Sequence, residues 1–156
     1  MENGLHFVKA DMNYLDVVFE WANESTTREN AFNTRLIPYE EHVNWYEKKI
    51  KEAGTFFYIC QQGNLNIGQL RIEMDNNRAV ISYSIDKNHR GRGLGKIIIK
   101  QAEEIIRNHN LLGLEEVVLV GKVKKSNIAS QRCFLAQGYN EEILDEYIEF
   151  TKIVSV

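Results

Sequence analysis

His89-Arg90-Gly91-Arg92-Gly93-Leu94-Gly95-Lys96 stands between a run with strand character, Ala79 to Ile85, and an amphipathic run, Leu94 to His109. Glycines let the backbone turn tightly and approach a ligand, and the first turn of a helix offers unpaired N–H groups whose dipole favours negative charge. Arg90, Arg92 and Lys96 add cationic reach. The stretch therefore reads as a cradle for a phosphate or pyrophosphate, with the amides of Gly91 to Lys96 around the anion.

Spacing excludes two familiar phosphate loops. A P-loop places four residues between its glycines and follows them with Lys-Ser/Thr, whereas Gly91 and Gly95 enclose three and Ile97 follows Lys96. A dinucleotide loop is GxGxxG in the first βα turn, but here GxGxG lies mid-chain after several expected strands.

Working outward, the spacing predicts strands over Leu5 to Ala10, Thr55 to Gln61, Leu65 to Met74 and Arg78 to Ile85, with turns at Gln62-Gly63-Asn64 and Asp75-Asn76-Asn77. The apolar parity of Leu65 to Met74 switches around Gly68, which predicts a bulge. Helices are expected over Tyr14 to Asn23 and from Pro38, with Glu40 and Glu41 in the first turn, Lys48, Lys49 and Lys51 near the end, and Tyr39, Val43, Tyr46 and Ile50 on one face. Glu24 to Leu36 is polar and reads as a loop. Leu94 to His109 buries Ile97, Ile98, Ala102, Ile105 and Ile106. Glu116 to Gly121 is a strand, Ser126 or Asn127 caps a helix to about Gln137 that Gly138 ends, and strands around Tyr139 to Ile143 and Glu146 to Val154 close the chain. The order is that of a mixed α/β fold. No repeat or linker appears, so residues 1–156 are expected to form one domain.

Composition narrows the classes. A chain of 156 residues, 44% hydrophobic and 26% charged, is one globular domain by size, able to bury roughly 70% of its unfolded surface. A net charge of −3 offers no basic field for nucleic acid or anionic membrane. Met1 to Phe19 carries Glu2, Lys9, Asp11 and Asp16, so it reads as neither signal peptide nor membrane span, and Cys60 and Cys133 read as reduced thiols; a cytoplasmic location is expected. His6, His42, His89 and His109 lack ligand spacing, so no metal is expected.

Two motifs now stand together. Arg90-x-x-Gly93-x-Gly95 resembles the acyl-CoA pyrophosphate signature, and Asn127-x-x-Ser130-x-x-x-Phe134-x-x-x-Gly138-Tyr139 the second signature, of the GNAT family of N-acetyltransferases. The second motif follows the first by one strand and one helix, and the resemblance covers nearly the whole chain. It implies a single-domain, mixed and mainly antiparallel central sheet flanked by helices, and direct transfer of acetyl from acetyl-CoA to an amine. It also implies that the strand before the glycine loop, over Tyr83 to Lys87 with Ile85 and Lys87 among the contacts, supplies backbone groups to pantetheine and thioester. Leu94 lies among the pyrophosphate-binding residues, Asn127 bonds the pantetheine arm, and Ser130 shares a helical face with Phe134 beside the thioester.

Many members carry Tyr at the position of Phe134, donating a proton to the departing thiolate. Cys133 projects about 100° away on a helix; Tyr83, Tyr139 and a bound water remain candidates for that role. A general base must lie within about one hydrogen bond or one water of the amine, and Glu73, on the strand paired to Arg78–Ile85, is the first candidate.

Glu20 to Glu24, Arg28 to Thr34 and Glu41 to Tyr46 resemble the N-terminal part of members that acetylate amino sugars on nucleotide carriers, of the pseudaminic acid biosynthesis type, which use a UDP-linked 4-amino-4,6-dideoxy sugar. Ala22 stands where that type usually has Arg. The resemblance implies Arg28 against a diphosphate, Trp21, Phe32 or Trp45 stacked on a base or sugar, and Asn30 and Asn33 reading hydroxyls. Modification of a protein N-terminus and non-catalytic sensing of acyl-CoA are the alternatives. Sheet-edge pairing near the C-terminus is compatible with a homodimer by family analogy.

Overall fold

The glycine stretch does join a strand to a helix, in a computed structural model that describes residues 4–109 and 113–156. In chain order the elements are β1 (Leu5–Lys9), α1 (Leu15–Asn23), α2 (Ser25–Asn30), α3 (Tyr39–Lys51), β2 (Thr55–Gln62), β3 (Leu65–Asp75) and β4 (Arg78–Ile85). There follow α4 (Leu94–Asn108), β5 (Glu116–Val123), α5 (Ile128–Ala136), β6 (Asn140–Ile143) and β7 (Ile148–Ser155). The strands form one mixed sheet in the order β1-β2-β3-β4-β5-β7-β6. Among the described residues only the β4–β5 pairing is parallel.

Two apolar clusters use the two faces of this sheet. On one, Leu70, Ile72, Ala79 and Ile81 meet Ile98, Ile99, Ala102, Ile105 and Ile106 of α4 and Phe134 of α5. On the other, Phe57 and Ile59 meet Val18 and Trp21 of α1 and Tyr46 of α3. The expected bulge is present: pairing with β2 shifts between Cys60↔Gly68 and Gln61↔Asn66, leaving Ile67 as the extra residue and re-aiming the strand's apolar parity. A Cβ on Gly68 would lie 2.8 Å from the Ser84 carbonyl oxygen, so glycine permits the close approach of β3 and β4 there.

Two expectations need correction. Glu24 to Leu36 is not all loop, because Ser25–Asn30 forms α2, capped by the Glu24 carboxylate on the amides of Thr26 and Thr27. Six polar residues show no apolar period, so only the cap marks this helix. The buried positions of α3 are His42 and Tyr46, not a row running from Tyr39, which is 46% exposed; contact with α1 rotates the buried stripe. Ile99 of α4, not among the expected core residues, is also fully buried. Among the described residues no helix is long and apolar enough to cross a membrane.

Candidate active site

Pairing between β4 and β5 ends at Val80↔Val120, yet β4 continues to Ile85 against β3 and β5 continues to Val123 against β7. The sheet therefore splits. A cleft of about 760 Å³ occupies the opening, lined by Ile81 to Ile85 on one lip and Lys122 and Val123 on the other. Beyond Val80 the outward backbone groups of β4 have no strand partner, a ready surface for an extended polar ligand.

At one end lies the glycine loop. Gly91 and Gly93 have φ of +78° and +74°, and nothing lies within 4 Å of a Cβ built on either. Gly93 is the N-cap of α4 and brings no side chain to the first-turn amides. These donors, at the positive end of a 15-residue helix, fit an anion. Gly91, Gly93, Leu94 and Gly95 all line the cleft. Arg90 lines it too, but its guanidinium donates to Glu24 at 2.8 Å. Arg92 donates to Gln62 Oε1 at 3.0 Å and contacts the His89 ring. Arg92, Lys87 and Lys96 are not among the lining residues. The loop's fit to an anion therefore rests on backbone amides rather than on free arginines.

The second motif borders the same space. Asn127 caps α5 by accepting from the Ser130 amide at 3.3 Å. Tyr83 Oη donates to Ser130 Oγ at 2.9 Å. Burial foremost pushes the Tyr83 phenol up, so it stays protonated as a donor. Phe134 stacks on Phe150 with centroids 5.4 Å apart and meets Tyr139 edge-on. Its ring fills the space a Cβ on Gly121 would take. Gly121 thus seats Phe134 just past the last β4–β5 pair; a glycine inside an apolar strand was the available signal. Tyr139 lies behind Phe134, with its hydroxyl buried and outside the lining residues, which removes it as a proton donor to the cleft.

The other end is polar and cationic. Gln69 and Arg71 of β3 lie opposite Ser84 and Ser82 of β4, on the sheet face that α1 and α3 leave partly uncovered. Gln69 Nε2 donates to Ser84 Oγ at 2.9 Å, while Gln69 Oε1 is buried with no partner among the described residues. An unpaired buried carbonyl of this kind costs about 1–3 kcal/mol. The Arg71 guanidinium lies 4.9 Å over the Trp45 ring. His42, 1% exposed, also borders the cleft. Its Nε2 lies 3.1 Å from the Leu15 carbonyl, which can only accept, so Nε2 carries the hydrogen and Nδ1 is left as an acceptor in the neutral ring. Burial foremost pushes its imidazole down.

Several residues that the sequence marks as candidates take other places once the chain is folded. Trp21 is core, 5% exposed, with its indole N–H donating to Asp86 at 2.8 Å. Glu73 lies outside the lining residues, held by Lys49 at 3.0 Å and by Arg71. Although burial pushes its carboxyl up most, these two cations bring it below the ordinary range, so it is a poor proton acceptor. Asn33 turns inward to the loop, its side chain accepting from the Arg35 amide. Arg28 donates to the carbonyls of Ala22, Asn33 and Arg35 and so shapes this loop, while still lining the cleft with Asn30, Phe32 and Trp45.

A split sheet with a glycine loop and a helix N-terminus at its mouth fits an acyl-CoA-using transferase. The acetyltransferase (GNAT) family model matches residues 15–139, and the chain belongs to that family; it is an acetyl-CoA-dependent N-acetyltransferase. Spermidine N-acetyltransferase from Vibrio cholerae, in complex with CoA and spermine, has a similar fold: TM-score 0.79 at 16% identity, over 97% of this chain and 95% of that one. The aminoglycoside acetyltransferase AAC(6')-Ib in complex with coenzyme A gives 0.77 at 15%, over 97% and 94%. The ribosomal L7/L12 alpha-N-protein acetyltransferase RimL in complex with CoA gives 0.79 at 14%, over 99% and 96%. No curated protein matches the chain's sequence.

Proposed function

We propose that this enzyme acetylates the amine of a nucleotide-linked amino sugar, of the kind represented by a UDP-linked 4-amino-4,6-dideoxy sugar. One observation carries the reading: the charge of the cleft lining. Arg28 and Lys122 line it without a carboxylate partner among the described residues. Glu41 is the one carboxylate among the described lining residues, and Arg35 neutralises it at 2.7 Å. Polycationic acceptors such as spermine or an aminoglycoside need free carboxylates, whereas a diphosphate needs the reverse. Trp45 and the exposed Phe32, which meets Tyr147 at 5.6 Å, offer flat apolar surface for a base or sugar.

Acetyl-CoA supplies the activated acyl group. The amides of Gly91 to Lys96 hold its pyrophosphate, the free edge of β4 from Tyr83 to Ile85 and Asn127 hold the pantetheine arm, and Phe134 walls the acyl end. Tyr83, protonated, is the donor for the departing thiolate, its hydroxyl hydrogen turning from Ser130 to the sulfur as the carbon–sulfur bond breaks. His42, neutral with Nδ1 free to accept, takes the place expected of Glu73 as acceptor of the amine proton.

Isothermal calorimetry tests this directly. Acetyl-CoA should bind the wild type, and Gly93→Glu, which puts bulk and negative charge into the cradle, should abolish binding while the protein stays folded. UDP- and TDP-amino sugars should then bind and release free thiol, and spermine should not. Thiol release with spermine or with a peptide amine alone would overturn the acceptor assignment and leave the transferase class standing.

A further inference from the structure

Gln69 is 9% exposed, lines the cleft, and presents a carbonyl oxygen that nothing in the described chain satisfies. Its amide is oriented by Ser84, because Nε2 donates to Ser84 Oγ and Oε1 must then face away from that hydroxyl. The pair sits at the level where β4 has already lost β5, beside the free strand edge assigned above to the pantetheine arm. Gln69 is opposite in strand register to the residue following Tyr83, so an acceptor atom reaching it stands next to the acyl end rather than near the pyrophosphate.

We propose that Gln69 Oε1 receives an N–H of the acceptor amine and sets the nitrogen lone pair toward the thioester. This rests on reading the cleft as the place where amine meets acetyl-CoA, but not on the nucleotide sugar. An amide carbonyl suits the task chemically. It accepts a hydrogen bond from the neutral amine without bringing a negative charge, whereas a carboxylate would hold the amine in its protonated, non-nucleophilic form. The neighbouring charge does not oppose this: Arg71, two residues along the same strand face, also lines the cleft, and the carboxylate beside it, Glu73, is already paired with Arg71 and Lys49 and lies outside the lining residues. In the transfer, the amine nitrogen bonds the acyl carbon, the carbon–sulfur bond breaks with its electron pair leaving on sulfur, and the amine proton passes to a base. Gln69 holds one N–H throughout and gives up no proton.

The test compares Gln69→Leu, Gln69→Met and Gln69→Glu with the wild type, using three amines: a UDP-amino sugar, a peptide N-terminus and ethanolamine. Binding of acetyl-CoA by calorimetry serves as the control for folding and for an intact glycine loop. Gln69→Leu and Gln69→Met should bind acetyl-CoA as the wild type does and lose about ten-fold or more in kcat/KM on whichever amine turns over. Gln69→Glu should behave oppositely in its two constants, with a lower KM and a lower kcat at neutral pH, because it captures the ammonium. A merely structural role would not produce that division. Unchanged kcat/KM in Gln69→Leu, or a Gln69→Glu protein indistinguishable from Gln69→Leu, would mean that the orphaned carbonyl is satisfied by water alone and would overturn the proposal. If ethanolamine or the peptide shows the expected pattern and the UDP-amino sugar is inert, the nucleotide reading falls and Gln69 keeps its role. If the wild type acetylates none of the three, both fall.

Discussion

A methyl group on Gly95 would lie 2.8 Å from Cys133 Sγ and 3.4 Å from Tyr83 Oη. Two effects then compete. Alanine is favoured over glycine by at most about 1 kcal/mol in a helix, and Gly95 is only the second residue of α4, while overpacking costs about 1–3 kcal/mol. Because the obstructing sulfur sits on a different helix, overpacking wins. Gly95→Ala should lower the urea midpoint, and Cys133→Ala in the same chain should restore it; a single mutant as stable as the wild type would show that α5 yields freely. This glycine was legible in the sequence as part of a loop. Its second constraint, the contact of α4 with α5, was not, because Gly95 and Cys133 lie far apart in the chain. Trp21 shows the same limit from the other side. An aromatic on an amphipathic helix reads as core or as ligand platform, and only its burial against Val18, Tyr46, Phe57 and Ile59 assigns it to the core, with its indole N–H met by Asp86.

At the scale of elements, α2 is anchored through its cap. Glu24 accepts from the amides of Thr26 and Thr27 and pairs with Arg90 at 2.8 Å, joining this helix to the glycine loop. Arg90 is the largest cause holding the Glu24 carboxyl down to about 2 from 4.5, against an opposing push from burial, with the two amides adding to it. A folded pKa below the unfolded one stabilises above the unfolded value and is lost as pH falls toward the folded one. Wild type should therefore exceed Glu24→Gln in stability by about 1 kcal/mol above about pH 5. The two should converge as the pH is lowered toward 2, and salt should narrow the gap at neutral pH. Denaturation midpoints across that range are the check, and a gap independent of pH would remove the carboxylate from the explanation.

For the whole molecule, the parting of β4 and β5 after Val80↔Val120 creates the cleft while β3 and β7 keep both strands in the sheet. The amides of β4 beyond Val80 that face β5 should exchange with solvent about ten-fold or more faster than those of residues 78 to 80, and acetyl-CoA should slow them selectively. Equal protection without ligand would mean that the strands remain paired in solution.

Sequence alone determined the strands, the helices other than α2, the bulge near Gly68, the glycine loop ahead of α4 and the capped α5. Each is written in local signals: apolar period, glycine at positive φ, cap residues at fixed offsets. The tertiary structure decided the rest, because charge neutralisation and hydrogen bonding depend on which distant side chains meet. Glu73 could not be recognised as a spent carboxylate until Lys49 and Arg71 stood beside it. Gln69 was only a polar residue in an apolar strand, and Arg28 and Lys122 were two cations among nineteen. Folding brought all three to one cleft, leaving there a carbonyl without a donor and two cations without a carboxylate among the described residues.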